Sequence, residues 1–471
     1  MFISKVIALK KGNAVNRKEY ALTPSQNGMY LMYKFSLHKQ QAQIPTSFIM
    51  DKDIDFNILQ RAFQIEILRN DSLRLRFRKV KGEVKQFFIP SFEYKVPVKH
   101  FFSEEEQEKF FSIDAAKPVS FLKDETFRIY FFRTAHNGCG IYSNFSHLIM
   151  DAGGILNFYF DLLKVYDSLT SGTDLPKPMY SFEEFIGTEL RTAEDTQKEK
   201  KHEEFYREYF STGGAPFYAA VHGTEFLERY RKKTNCPSAG VPLAYNPLYD
   251  KCDMKVLEVP ADALKKIIDY CIANSTSPEN IFQMGIRTYC SSINYRTEDV
   301  SMMCVCGRRM GYKTKNMSGC LAQPLIFRTV ISEDKSFSEA CDMISSVRTA
   351  LYRHADYPYT KARDMFLGMH SLGAIQGANN MMFSWIPLPV EAVFPFSVDF
   401  RTYNLGRYFT PLYTIITPDT KSGGLKIYYM YRTRLINEKQ IEALHSNMLN
   451  IIMQGIENPD ITVSKLLDSV R

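Results

Sequence analysis

Hydrophobic positions recur along this chain in two rhythms, one helical and one of period two, and their alternation predicts a mixed α/β protein. Asp55 opens a stretch in which Phe56, Leu59, Phe63 and Leu68 fall at about helical spacing, ending near Arg69-Asn70-Asp71. The rhythm then changes. Leu73-Arg74-Leu75-Arg76-Phe77-Arg78 alternates, and Lys81-Gly82 parts it from residues 84–88, which predicts strand, turn, strand. A second hairpin is predicted from residues 127–134 and 140–145 around the turn signal His136-Asn137-Gly138. Its outgoing strand runs into a helix carrying Ile155, Phe158, Tyr159, Leu162, Leu163 and Tyr166. Upstream, Thr23 is placed to cap a helix whose first turn holds Pro24, and residues 47–50 read as a strand.

Residues 170–178, Thr-Ser-Gly-Thr-Asp-Leu-Pro-Lys-Pro, are a linker by composition, which places a boundary between a lobe of residues 1–176 and a second of 177–471. The second lobe begins with a charged, then loop-rich connection containing an exposed helix over 194–207. It then restarts with a strand at 254–259, a helix at 260–272, a helix capped by Ser277-Pro278-Glu279 and a strand at 300–305. No sequence repeat relates the halves. A length of 471 residues suits two domains of roughly 200 residues each, so the pattern predicts two α/β lobes side by side.

Composition narrows the partners. Fifty-nine Lys and Arg against 52 Asp and Glu leave a net charge of only +7, scattered along the chain, which does not predict nucleic acid binding. The densest basic cluster, Arg308, Arg309, Lys313 and Lys315, is interrupted by Gly and Tyr. It reads as a solvated loop or as a contact for the phosphates of a coenzyme or carrier arm. Nine cysteines without regular spacing predict no disulfide framework, and Cys304-Val-Cys306 lacks the partners of a zinc site, so no metal is expected. The amino terminus does not read as a signal peptide, and no apolar run is long enough to span a membrane; a cytoplasmic location is the expectation.

The candidate chemistry sits at one strand-to-helix junction, Asn144-Phe145-Ser146-His147-Leu148-Ile149-Met150-Asp151-Ala152-Gly153-Gly154. A His at a strand end is able to project into a cavity as a general base near neutral pH. Asp151, four residues on, either caps the following helix or fixes a backbone or an Arg. The helix start at Gly153 is placed to direct backbone N–H groups toward the cavity. Ser143 and Ser146 lie in no Gly-x-Ser-x-Gly elbow and are not expected to be nucleophiles.

These motifs line up in order with a known family. The chain resembles the condensation domains of nonribosomal peptide synthetases, within the chloramphenicol acetyltransferase-like acyltransferases. Residues 146–152 are similar to the family's His-His-x-x-x-Asp-Gly, with Ser146 in place of the first His and Ala152 in place of the Gly. Leu22-Thr23-Pro24-Ser25-Gln26 looks like its opening motif, and Arg69-Asn70-Asp71-Ser72-Leu73-Arg74 like Arg-His-Glu-x-Leu-Arg. Gly307-Arg308-Arg309, Ser318-Gly319-Cys320-Leu321 and His354-Ala355-Asp356-Tyr357-Pro358-Tyr359 resemble later blocks, so the likeness covers about residues 20 to 465.

The resemblance implies two chloramphenicol acetyltransferase-like lobes forming a V-shaped pseudo-dimer around a tunnel that a monomer closes by itself. It implies a free-standing acyltransferase with no tightly bound cofactor. The acyl donor would arrive on the phosphopantetheine of an acyl or peptidyl carrier protein in trans, or on coenzyme A. The acceptor would be a small-molecule amine or alcohol, with amide formation favoured over ester formation. His147 would orient or deprotonate the acceptor, and a backbone N–H near Gly153 or Gly154 would steady the oxyanion. Asp151 would pair with an Arg of the first lobe, Arg74 or Arg69, to hold the loop. Loss of the first His and of the Gly leaves a noncatalytic carrier-docking domain of the same fold as the alternative.

Overall fold

A computed structural model describes residues 18–123, 125–136, 138–223, 228–229, 232–233, 235, 247–373, 380–386 and 396–470. The amino-terminal residues read for a signal peptide, and Asn137 of the expected turn, lie outside the described residues.

Local sequence sets the element starts. Thr23 accepts from Gln26 N while Gln26 Oε1 accepts from Thr23 N at 2.9 Å, a reciprocal cap ahead of Pro24, and Asp55 accepts from Asn57 N at 2.7 Å. The first half runs β1 (Tyr20–Ala21), α1 (Pro24–Phe35), β2 (Gln43–Met50), α2 (Phe56–Arg69), β3 (Leu75–Val80), β4 (Glu83–Phe88), β5 (Val98–His100), α3 (Glu104–Ala115), β6 (Phe127–Arg133), β7 (Cys139–Ser146) and α4 (Ala152–Ser171). Helices α5 (Phe182–Thr192) and α6 (Thr196–Ser211) lead to β8 (Cys252–Val259), α7 (Ala261–Ala273), α8 (Pro278–Ser292), β9 (Asp299–Cys306), α9 (Tyr312–Lys315) and β10 (Gln323–Val330). The chain finishes with α10 (Phe337–Arg353), α11 (Tyr359–Met369), β11 (Met381–Trp385), β12 (Val398–Thr402), β13 (Leu412–Asp419), β14 (Gly424–Arg432), α12 (Glu438–Glu457) and α13 (Val463–Asp468).

The mixed α/β class expected from the two rhythms is what forms. One sheet has the order β12-β2-β7-β6-β5, a second β10-β9-β11-β13-β14-β8, and a small third β1-β4-β3. The strand expected at residue 73 starts at Leu75 instead, because Asp71–Arg74 closes a 3₁₀ turn with Leu73 N donating to Asn70 O. Helices α2 and α4 share one face of the first sheet, where Phe63 meets Phe158 edge-on and Leu59, Ile67, Ile155 and Leu162 are buried. A separate core forms where α8, α10 and α12 cover the second sheet.

The two halves are interlaced. Strand β12 leaves the second half to pair antiparallel with β2, from Val398 opposite Met50 to Thr402 opposite Thr46. Phe182 and Ile186 of α5, and Met317, Cys320 and Leu321 ahead of β10, also pack into the first core. Residues 317–322 therefore lie against the strand-to-helix junction that carries His147.

Candidate active site

Strand β7 delivers the junction. Gln43 of β2 stands opposite Ser146, and the pairing continues one residue further as His147 N donates to Ala42 O at 2.8 Å. Ser146 is buried at the strand end, its N–H bonded to Thr126 O, and Ile149 N then closes a tight turn onto Ser146 O at 3.0 Å. Gln26 of the opening motif grips this turn by donating to Leu148 O at 2.9 Å. Helix α4 begins at Ala152, an ordinary helical position that Ala fills without cost.

Asp151 is the hub. Its Oδ1 accepts from Gly154 N at 2.8 Å and from Arg309 Nη2 at 2.7 Å, and its Oδ2 accepts from Leu321 N and Ala322 N at 2.8 Å each. The carboxylate is 2 % exposed. Burial alone would push its pKa up, but the Arg309 charge and the N–H donors outweigh burial and hold it below the usual carboxylate range. Both readings of Asp151, helix cap and Arg partner, are realised in one side chain. The Arg, however, comes from the second half of the chain.

The expected partners are engaged elsewhere. Arg69 makes a two-pronged contact with Asp161 at 2.8 and 3.0 Å, and Arg74 donates to Ile89 O and Pro90 O. The reason is helical geometry: Asp161 stands ten residues beyond Asp151 on α4, about 15 Å at the rise of an α-helix, and Arg69 meets the helix at that level. Arg308 and Arg309, read as a solvated loop or a phosphate contact, have their terminal nitrogens engaged within the chain. Arg309 spends its two terminal nitrogens on Asp151, Thr314 O, Met317 O and Gly319 O. Arg308 is tied to Glu189, Asp356, Ser25 Oγ and Leu321 O.

One of the two glycines, Gly154, has a different duty from the one expected of it. The Gly154 N–H belongs to Asp151, so it does not serve an oxyanion. A Cβ on Gly154 would stand 2.9 Å from the backbone of Gly319, and one on Gly153 would stand 2.4 Å from Arg309 Nε. Both positions are glycine because Arg309 and residue 319 pass directly over the first turn of α4.

His147 itself is half-buried. Burial lowers its pKa, only partly opposed by its own backbone carbonyl and by Asp151, so the imidazole is neutral near pH 7 and able to accept a proton. Its Nδ1 lies 3.9 Å from Cys320 Sγ, a contact with no forewarning in the sequence. Burial pushes the Cys320 thiol well up, so it stands uncharged beside the ring. Other hydroxyls are occupied: Ser143 Oγ is 2.7 Å from Tyr159 OH, and Ser318 Oγ donates to Gly154 O. His354 faces His202 across 3.0 Å, away from this turn. Among the described residues no three His, Cys, Asp or Glu side chains converge as metal ligands, and no helix is long and apolar enough to cross a membrane.

Comparison with known proteins identifies the family and the fold. A sequence model of the Condensation domain family matches residues 16–469. Surfactin synthase subunit 1 of Bacillus subtilis (strain 168) is 23% identical over 471 residues, covering 95% of this chain. Tyrocidine synthase 3 of Brevibacillus parabrevis is 19% identical over 464 residues, also covering 95% of it. The chain spans only 12% and 6% of those two proteins. Among solved structures, the first condensation domain of the calcium-dependent antibiotic synthetase, in complex with a substrate analogue, superposes with a TM-score of 0.77 at 15% identity, covering 95% of this chain and 99% of that one. A mutant starter condensation domain of rhizomide synthetase in complex with C8-CoA gives 0.77 at 13% identity, covering 96% and 97%. The fold is therefore the chloramphenicol acetyltransferase-like one.

Proposed function

The chain belongs to the condensation-domain family, and from that premise we propose that it joins a thioester-activated acyl or aminoacyl group to an amine, with His147 as the group that orients or deprotonates the acceptor. The observation that carries this reading is the fourfold anchoring of Asp151, which fixes the turn presenting a neutral imidazole. A buried ion pair with three further backbone donors is an expensive way to hold a turn that has no task.

The amine attacks the thioester carbonyl, His147 takes the proton, and the thiol leaves with a proton returned to its sulfur. A thioester is already activated, so positioning and proton transfer suffice and no enzyme nucleophile is required. Ser143 is committed to Tyr159 and Cys320 is an uncharged, fully buried thiol, which agrees with direct transfer. With the Gly154 N–H spent on Asp151, we assign the oxyanion to the Gly153 N–H. Asp151 and Arg309 act as scaffold.

The donor is proposed to ride on the phosphopantetheine of a carrier protein. The C8-CoA complex of the starter condensation domain supports an acyl thioester as the donor class, with coenzyme A as the other bearer. Incubating the protein with carrier-loaded and coenzyme A-loaded octanoyl thioesters and a panel of amines and alcohols, then reading products by intact mass, tests the reading. Amide products formed faster from carrier-bound donor are expected; ester products alone, or no product with any pair, would overturn it.

A further inference from the structure

Asp151 fixes the turn that follows His147, but His147 has a second root. Its N–H donates to Ala42 O at 2.8 Å, so the backbone under the imidazole is only as steady as the segment that carries Ala42. That segment is the 3₁₀ turn Lys39–Ala42 between α1 and β2. It has no side-chain cap, and its Gln41 N reaches His38 O only at 3.4 Å. A turn so short and so weakly bonded takes its position from what grips it from outside.

The grip is Asp250, which arrives from the second half of the chain just ahead of β8. Its Oδ2 accepts from His38 Nδ1 and from Gln41 Nε2 at 2.7 Å each, and its Oδ1 accepts from Arg407 Nη1 at 3.1 Å. The Asp250 side chain is 1% exposed, and Gln41 is buried with it. Its own backbone is fixed in turn, for Tyr408 N donates to Asp250 O at 2.8 Å and the buried Arg432 donates to Tyr408 O at 2.9 Å. Beyond Ala42, Gln43 grips the end of α3 and the residues after it, donating to Ala115 O and Lys117 O and accepting from Val119 N.

Two features set this contact apart from a surface ion pair. A carboxylate taken out of water is costly unless its donors are all in place, and Gln41 keeps its nitrogen on Asp250 although its Oε1 has no hydrogen-bond partner among the described residues. Gln41 and Asp250 also stand 209 residues apart, in different halves, so the bond exists only when the halves are docked.

We propose that Asp250 is a positioning residue for acyl transfer, a clasp from the second half that acts through Gln41 and Ala42 to set where the His147 backbone stands. Its part in transfer rests on the function proposed above; its hold on the His147 backbone does not. The clasp moves no proton. It makes the placement of His147 depend on the docking of the two halves.

Hydrogen exchange at single-residue resolution, beside single-turnover transfer from a carrier-bound octanoyl thioester, tests this on the full chain. Gln41→Met keeps the side-chain length, removes the unpartnered oxygen together with the bond, and leaves Asp250 with His38 and Arg407, so it is the variant expected to stay folded. Its His147 amide is expected to exchange about tenfold faster than in the wild type, with the amides of Ile427 and Tyr429 in the second sheet unchanged, and transfer to slow about tenfold. Asp250→Asn, which puts a donor in place of an acceptor, is expected to loosen the same amide further. A uniform rise across both large sheets would show a group that only stabilises the fold and would overturn the proposal. An unchanged His147 amide in both variants would overturn it too, as would wild-type transfer by a Gln41→Met protein whose His147 amide has loosened. A loosened His147 amide in the variants, with no transfer to any amine even by the wild type, would uphold the clasp and sink the proposed function instead.

Discussion

Arg309→Ala is the perturbation with the most to say, because Arg309 reaches from the second half of the chain to hold the loop of the first. The side chains of the pair are 13% and 2% exposed, so removing the guanidinium leaves the Asp151 carboxylate buried with only three backbone donors. Breaking such a pair typically costs 3–5 kcal/mol; the three surviving N–H bonds place this case near the low end, at about 3 kcal/mol. Three carbonyls, of Thr314, Met317 and Gly319, lose a donor as well, although Met317 O keeps Asn157 Nδ2 and Gly319 O keeps the Asp151 N–H. Chemical denaturation at pH 7 measures the loss. Because Arg309 contributes to a pKa held below the usual carboxylate range, its benefit is fully present above about pH 4 and fades as pH falls through the depressed value. The deficit of the variant should therefore shrink on acidification. Activity discriminates further. Arg69→Ala also breaks a mostly buried pair, with Asp161, but should leave transfer by the folded protein intact, whereas Arg309→Ala should reduce it about 10²-fold through a displaced His147. A loss under 1 kcal/mol with full activity for Arg309→Ala, or equal loss of activity in both variants, would refute the reasoning.

Three further outcomes follow from the same contacts. Glu66 is fully buried, and burial reinforced by nearby Asp161 pushes its carboxyl well up; the folded state keeps its proton where the unfolded chain has lost it, so stability falls as pH rises above about 4.5. Glu66→Gln keeps an acceptor for Asn70 and should be the more stable protein at pH 8 by about 1 kcal/mol, with the gap closing toward pH 4 in thermal melts; a variant less stable at pH 8 would contradict this. Gly154→Ala must move the backbone of residue 319 and is expected to cost about 1–3 kcal/mol by denaturation, while Gly28→Ala, with open space at its Cβ, should cost far less. Since burial lowers the pKa of His147, the acid limb of single-turnover transfer, measured with a weakly basic acceptor amine that stays unprotonated across the range, should lie below the ordinary imidazole value; an acid limb centred above 7 with that acceptor would be inconsistent with a neutral, desolvated imidazole.

The parts of the architecture set by local pattern were legible in the sequence. Two short apolar runs around a turn signal located β6 and β7, and the Gly pair followed by a helical apolar face located the start of α4, so the His147 junction was visible before any tertiary contact. Long-range pairing was not. Val398-Asp399-Phe400-Arg401-Thr402 is a short run that gives no sign of joining a strand about 350 residues earlier, because register is decided by the assembled sheet. The same limit explains the misplaced Asp151 partner. Arginines at 69, 74, 308 and 309 are chemically equivalent in sequence, and only the course of residues 307–319 over the first turn of α4 selects Arg309. Cys320 and the Asp250 clasp had no signal at all, since each is defined by what packs around it.

The most direct test of the mechanism is single-turnover acyl transfer from a carrier-bound thioester to an amine by His147→Ala, beside the wild-type protein and with folding checked by thermal melting. Removing a positioned general base is expected to slow transfer about 10²–10⁴-fold while the chain stays folded. Transfer at the wild-type rate by the folded variant would contradict the assignment of His147.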